Sequence, residues 1–400
     1  MERPRPCPRR SSASAERERS LHVWTRTLLS WSTAVLSVLI LSGCGEEKKP
    51  YAWQLPPDFP EPFVPEDNPM SEEKVKLGRF LFYDTRLSIN DTMSCASCHE
   101  QKRAFSDGKA TPTGATGHHV ARNSPGLANV AYLATYTWAN PVLDTLEKQA
   151  LVPLLGERPL ELGMGMHLEE VLQRLRDDAR YPTLFREAFP DDEQPITQDN
   201  VVKALASFQR TMLSSHSPYD RYLRGEVSAL SASAKRGMEL FFGERAECYH
   251  CHSGPHMTNS FRSKDTKIPE WEFQNTGLYN VDGLGGYPGD NTGLYEFTGL
   301  QRDMGRFRVP PLNNVALTAP YMHDGSIATL EEVLDFYMAG GRDVTSGPHM
   351  GDGRASPLKN AFVRPFELNA EERADLIAFL ESFTDMDFVN DPKFSNPFEE

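Results

Sequence analysis

The sequence predicts a mainly α protein in which one plan is used twice. Two stretches, Cys95-Ala96-Ser97-Cys98-His99 and Cys248-Tyr249-His250-Cys251-His252, share the pattern C-x-x-C-H. Each follows an apolar run of helical period, Lys74 to Phe82 and Ser233 to Phe241, in which a glycine is closely followed by Phe-Leu-Phe or Leu-Phe. Strand signals are sparse throughout. A chain of 400 residues with 39% hydrophobic and 10% aromatic content has enough apolar material for two domains of ordinary size.

C-x-x-C-H is the attachment signature of a c-type haem: both thiols become thioethers to the porphyrin vinyls, and the histidine ligates iron. A lone C-x-x-C serves equally as a redox pair or as half a zinc site. Here a histidine follows each pair at once, and these four are the only cysteines beyond residue 44. A zinc site of four thiolates leaves both histidines unexplained, so zinc and disulfide pairing are the weaker readings. The expected architecture is mainly α, with two cytochrome c-like haem domains, few short strands and long loops. The domains are expected at 71–225 and 226–390.

Residues 1–20 are rich in Arg, Pro and Ser, and an apolar run from Leu28 to Leu41 leads to Gly43-Cys44. A run this short, preceded by arginines and ended by small residues, suits a signal-peptide core better than a spanning helix. Leu41-Ser42-Gly43-Cys44 resembles a bacterial lipobox. Residues 1–43 are then a lipoprotein signal peptide, Cys44 carries the lipid, and residues 44–70, charged and then proline-rich, form a tether to the membrane. An uncleaved anchor or an ordinary signal peptide is the alternative; either way the body is exported, and a periplasmic location is expected. Cys7 falls in the removed segment, so one lipid and two haems use every remaining thiol. Loss of residues 1–43 removes seven Arg and three Glu and takes the formal charge from −14 to −18. So acidic a body argues against nucleic acid as a partner.

Along the body, Ser71-Glu72-Glu73-Lys74 opens a helix carrying Val75, Leu77, Phe80 and Leu81. His167 to Ala188 and Asn200 to Leu213 are helix-periodic, with Thr197 as a candidate cap. Ser253 to Arg308 is rich in Gly, Asn, Asp and Tyr, which predicts a long loop with short hairpins. Thr329-Leu330-Glu331-Glu332 has capping-box spacing and Gly340-Gly341 supplies a stop. A last helix is expected from Ala370 to Phe383, capped by Asn369.

His99 and His252 supply one axial ligand each, and what fills the opposite position decides between electron transfer and reaction with a small oxidant. The helix from Thr329 presents Leu330, Val333, Leu334, Tyr337 and Met338 on one face, so either Tyr337 or Met338 is placed to reach a buried iron. Periodicity alone leaves both open, and equally fits two core residues.

The two motifs, with Arg122-Asn123-Ser124-Pro125, Trp138, Gln149-Ala150, Pro159-Leu160-Glu161-Leu162 and Leu317 to Ser326, resemble the bacterial di-haem cytochrome c peroxidase and MauG family over about residues 70–385. Thr135 to Pro141 and Val309 to Gly325 resemble its MbnH-type branch, which modifies tryptophan on a partner protein. The resemblance implies a high-spin peroxidatic haem on Cys95, Cys98 and His99. Glu161 is its distal carboxylate, and Gln149 and Pro153 are further distal-pocket positions. It implies a low-spin haem on Cys248, Cys251 and His252 with Tyr337 as second ligand, where conventional peroxidases carry methionine. Trp138 lies between the haems, and Asn123, Thr318 and Pro320 match an inter-domain calcium site. His323 is expected to order the second-haem surroundings by hydrogen bonding.

The expected activity is that of an oxidoreductase. Hydrogen peroxide reacts at the first haem, and the oxidising equivalents, shared through Trp138, modify a tryptophan on a partner protein. One alternative is a conventional cytochrome c peroxidase that takes electrons from a small c-type cytochrome. The other is a non-enzymatic di-haem electron carrier.

Overall fold

Each C-x-x-C-H motif sits beside a pair of crossed helices, and the two pairs are built alike. The structure is a computed structural model that describes residues 51–269 and 271–399; the signal segment, Cys44 and the start of the tether lie outside the described residues. Its α-helices are α1 (Glu72–Tyr83), α2 (Leu146–Leu155), α3 (Leu168–Asp177), α4 (Tyr181–Ala188), α5 (Gln198–Arg210), α6 (Pro218–Leu223), α7 (Ala232–Phe241), α8 (Tyr295–Thr298), α9 (Leu330–Met338), α10 (Ala370–Glu381) and α11 (Met386–Asn390).

Helix α1 starts where Ser71 accepts the Lys74 N–H at 3.2 Å, with Glu72 and Glu73 complementing the dipole of the first turn. It packs on α5 at Gly78, where a Cβ would lie 2.0 Å from the Ala204 carbonyl oxygen. Helix α7 packs on α10 in the same way, with a Cβ at Gly237 falling 2.0 Å from the Asp375 oxygen. Phe208 in the first pair and Phe379 in the second flank these contacts. The likeness continues at Asn129 and Asn314, both left-handed (φ 58° and 60°), each opening a 3-10 turn, Val130–Tyr132 and Val315–Leu317. Both asparagine amides bind Ser214, one at its carbonyl (2.8 Å) and the other at its hydroxyl (2.9 Å). One apolar cluster surrounds α1–α5, a second surrounds α7 and α10, and a third includes Trp138, Tyr287 and Phe307.

The class is mainly α. Strands are two residues long: β1 (Phe273–Gln274) pairs antiparallel with β2 (Phe307–Arg308), and β3 (Asp343–Val344) with β4 (Gly351–Asp352). The first hairpin closes the Gly-rich loop expected between 253 and 308. The periodic stretch from His167 to Ala188 is two helices, because the Asp178 carboxylate accepts the N–H groups of Arg180 (2.7 Å) and Tyr181 (3.4 Å) and restarts the chain. Thr197 caps α5 as expected, through the Asn200 N–H at 3.2 Å. At α9 only half of the expected box forms: Thr329 accepts the Glu332 N–H at 3.2 Å, while the Glu332 carboxylate reaches the Ala328 N–H at 2.8 Å. The box at α10 is complete, between Asn369 and Glu372, and the helix stops at Glu381. Among the described residues no helix is long and apolar enough to cross a membrane.

Candidate active site

A large cavity opens beside the first motif and a smaller one beside the second, of about 1180 Å³ and about 260 Å³. In the first, Cys95, Cys98 and His99 share the lining with Gln149, Pro153 and Glu161. The His99 Nδ1 lies 2.6 Å from the Phe105 carbonyl oxygen, at a residue held at φ 63°. A carbonyl only accepts, so Nδ1 carries the proton and Nε2 keeps the lone pair that an iron ligand needs. Burial pushes the His99 pKa down, which favours the same neutral form. His252 repeats the arrangement: its Nδ1 lies 3.0 Å from the oxygen of Met257 (φ 51°), and burial lowers its pKa. Two thiols, an oriented neutral imidazole and an apolar cavity beside each motif fit a covalently attached haem at both places.

Gln149 and Pro153 lie one turn apart on α2 and face Glu161 across the first cavity. The Glu161 segment is held on three sides. The Glu161 carbonyl accepts the Ala115 N–H (2.7 Å), the Leu162 N–H binds the Pro153 oxygen (3.0 Å), and the Leu162 carbonyl accepts the Ile89 N–H (2.8 Å). Among the described residues no hydrogen bond reaches the Glu161 carboxylate, and burial pushes its pKa up to about 7.

The second cavity is lined by Cys248, Cys251, His252 and, from α9, Leu330, Val333, Leu334 and Tyr337. Met338 is turned away: it packs into the second helical cluster, and its sulfur accepts a hydrogen bond from Arg373 at 3.0 Å. Burial pushes the Tyr337 phenol up, so a phenolate exists there only when a cation balances it. His323 also lines this cavity. Its ring stacks on Phe307 (centroids 3.6 Å apart, planes at 10°), and among the described residues its buried Nε2 has no hydrogen-bond partner.

A thin wall separates the cavities, and Asn123, Trp138 and Arg308 line both. Trp138 is buried, and its Nε1 donates to the Asn123 carbonyl at 2.7 Å. The Asn123 Nδ2 binds the Lys109 oxygen at 2.8 Å. Among the described residues no hydrogen bond reaches its Oδ1 or the carbonyls of Thr318 and Pro320, which lie on segments joined by the Asn123 N–H to His323 oxygen bond (2.8 Å). Three free neutral oxygens suit a hard cation completed by water. Among the described residues there is no cluster of three or more His, Cys, Asp or Glu for a metal. The sequence reading missed Arg308. Its signal is the second half's Phe307-Arg308-Val309-Pro310, which aligns with Arg122-Asn123-Ser124-Pro125 once Asn314-Val315-Ala316 is laid on Asn129-Val130-Ala131.

A family model described as di-haem cytochrome c peroxidase matches residues 72–228. The chain is 36% identical over 320 residues to the methylamine utilization protein MauG of Methylorubrum extorquens, covering 80% of each chain. It is 37% identical over 336 residues to the cytochrome-c peroxidase IdrP1 of Pseudomonas sp. strain SCT, covering 80% of this chain and 83% of that one. Among solved structures, a MauG-like protein associated with microbial copper homeostasis superposes with a TM-score of 0.85 at 51% identity, covering 87% of this chain and 99% of that one.

Proposed function

The chain belongs to the di-haem cytochrome c peroxidase and MauG family, and from that premise we propose that it uses hydrogen peroxide to oxidise a tryptophan side chain on a partner protein. It is an oxidoreductase of the di-haem peroxidase type with two c-type haems. The division into haem domains at 71–225 and 226–390, export through residues 1–43, and a lipid on Cys44 belong to the same reading.

A haem held by Cys95, Cys98 and His99 would supply the redox-active iron for peroxide reduction. Glu161 takes the proton from peroxide and returns it to the departing oxygen, a task for which a carboxyl poised near neutrality is matched. Gln149 and Pro153 shape the space in which peroxide meets Glu161. Trp138 gives an electron a stepping point between the two cavities. Asn123, Thr318 and Pro320 hold calcium through one amide and two carbonyl oxygens, and so fix the wall that carries Trp138.

One observation carries the choice of substrate: Tyr337, and not Met338, lines the second cavity. A Tyr337 phenolate, a hard anionic donor, would favour oxidised iron in a haem held by Cys248, Cys251 and His252, which suits storing oxidising equivalents better than receiving electrons from a cytochrome. The likeness to a MauG-like protein associated with copper homeostasis supports a partner from that setting. Mass spectrometry of a co-expressed partner after peroxide addition tests the proposal: tryptophan oxidised toward kynurenine is expected. An unmodified partner together with rapid oxidation of a small cytochrome c would instead favour the conventional peroxidase reading, which the likeness to IdrP1 supports.

A further inference from the structure

The wall between the cavities contains a buried positive charge that no carboxylate among the described residues answers. Arg308, on β2, is 3% exposed. Its backbone N–H binds the Trp138 oxygen at 2.7 Å, its Nε donates to the Thr137 oxygen at 2.8 Å, and its Nη1 lies 3.4 Å from the Val309 oxygen. A guanidinium has five N–H groups, and the remaining donors, both of those on Nη2 included, meet no acceptor among the described residues. The other deeply buried arginine is treated differently: Arg210, 2% exposed, holds both Glu147 oxygens at 2.8 and 2.9 Å.

Burial lowers the Arg308 pKa to about 10, against an opposing pull from the Tyr136 phenol, which still leaves it charged at neutral pH. Glu161, in the first cavity, is shifted up by burial and forms no ion pair with Arg308. Glu247, in the second, is committed to Arg364 at 2.7 Å. A buried, uncompensated charge is strongly unfavourable, so an anion must enter with whatever fills the cavities. Arg308 lines both, and each c-type haem brings two propionate carboxylates. In the first half the aligned position is Asn123, which is neutral, so the charge is peculiar to this side of the repeat.

We propose that Arg308 clamps propionate carboxylates of both haems from one guanidinium, while its backbone N–H and Nε hold the loop that carries Trp138. It is a positioning residue that couples the electrostatics of the two centres. The inference rests on two haems in these two cavities, and covalent-haem quantitation of the wild-type protein checks that basis separately. Two per chain are expected; one would overturn the inference along with its basis.

The test compares the wild-type, Arg308→Gln and Arg308→Lys holoproteins by spectroelectrochemical titration, with the high-spin and low-spin bands followed individually. Loss of the positive charge stabilises oxidised iron, so Arg308→Gln is expected to lower both midpoint potentials. It is also expected to make them pH-dependent near neutrality, as released propionates titrate. Arg308→Lys, which keeps the charge, is expected to hold both potentials near wild type. A shift at one centre only, or no shift with haem content intact, overturns the proposal. If Arg308→Gln fails to take up haem, the propionate bending bands in the resonance Raman spectrum of Arg308→Lys decide: displaced bands at both haems support the clamp, and unmoved bands overturn it.

Discussion

Glu161 is governed by its burial: with no hydrogen-bond donor to its carboxylate among the described residues, desolvation sets its protonation and raises its pKa from the usual 4.5 to about 7. Only the carboxylate can accept a proton from peroxide, so the bimolecular rate with peroxide should rise with pH through about 7 and then level off. Glu161→Gln should flatten that profile and lower the rate by a factor on the order of 10² to 10⁴, as read by stopped-flow mixing. The same shift has a stability sign. Between 4.5 and about 7 the folded chain keeps a proton that the unfolded chain has lost, so stability declines as pH rises across that window, and Glu161→Gln removes the decline. Tyr337 and Met338 give a second test, since their side chains leave α9 about 100° apart. Tyr337→Phe should abolish the low-spin ferric signature in the optical or resonance spectrum and Met338→Leu should preserve it; the opposite pattern would return the ligand to methionine. Neither residue was legible from local pattern. Adjacent apolar positions on a helix face both read as core, and one glutamate among many reads as solvated, so the assignments came from resemblance to a family.

Elements were more legible, because their ends are written in short-range chemistry. Ser71, Thr197, Thr329 and Asn369 each accept the N–H three residues on, as their spacing implied. What local pattern did not contain was the break at Asp178, since the helices on either side bury the same face and the periodicity runs through. The glycines preceding Phe-Leu-Phe and Leu-Phe were visible as a repeated feature, but their purpose is tertiary: Gly78 and Gly237 let α1 and α7 touch the backbone of α5 and α10. Gly78→Ala or Gly237→Ala places a Cβ 2.0 Å from a carbonyl oxygen that belongs to a helix and cannot swing away. Each should destabilise by about 1–3 kcal/mol or more, seen as a lower midpoint of thermal unfolding. Gly289→Ala, where a Cβ meets nothing within 4 Å, should stay within about 0.5 kcal/mol of wild type. Equal stability of all three variants would mean that the helix pairs do not cross at these glycines.

At the scale of the molecule, the doubled plan makes two cavities, and function depends on how unlike they have become. The first keeps room opposite His99 and a carboxyl with tuned acidity; the second is tighter and presents a phenol. The proposed two-equivalent oxidation of a partner would require the centres to act together, and Trp138 places an extended π-system in the wall between the cavities. Trp138 is fixed at both ends: its Nε1 binds the Asn123 oxygen at 2.7 Å, and its carbonyl accepts the Arg308 N–H at 2.7 Å. Trp138→Phe keeps most of the packing but removes the indole. It should leave the first spectral response of the high-spin centre to peroxide near the wild-type rate. The low-spin centre should respond slowly or not at all, and the yield of oxidised partner per peroxide should fall with it. Stopped-flow spectra resolve the two centres, and mass spectrometry counts the partner product. If both centres responded to peroxide at wild-type rates, charge would have to cross the wall without Trp138. If the high-spin response itself failed, the tryptophan would be supporting the first cavity and not linking it to the second.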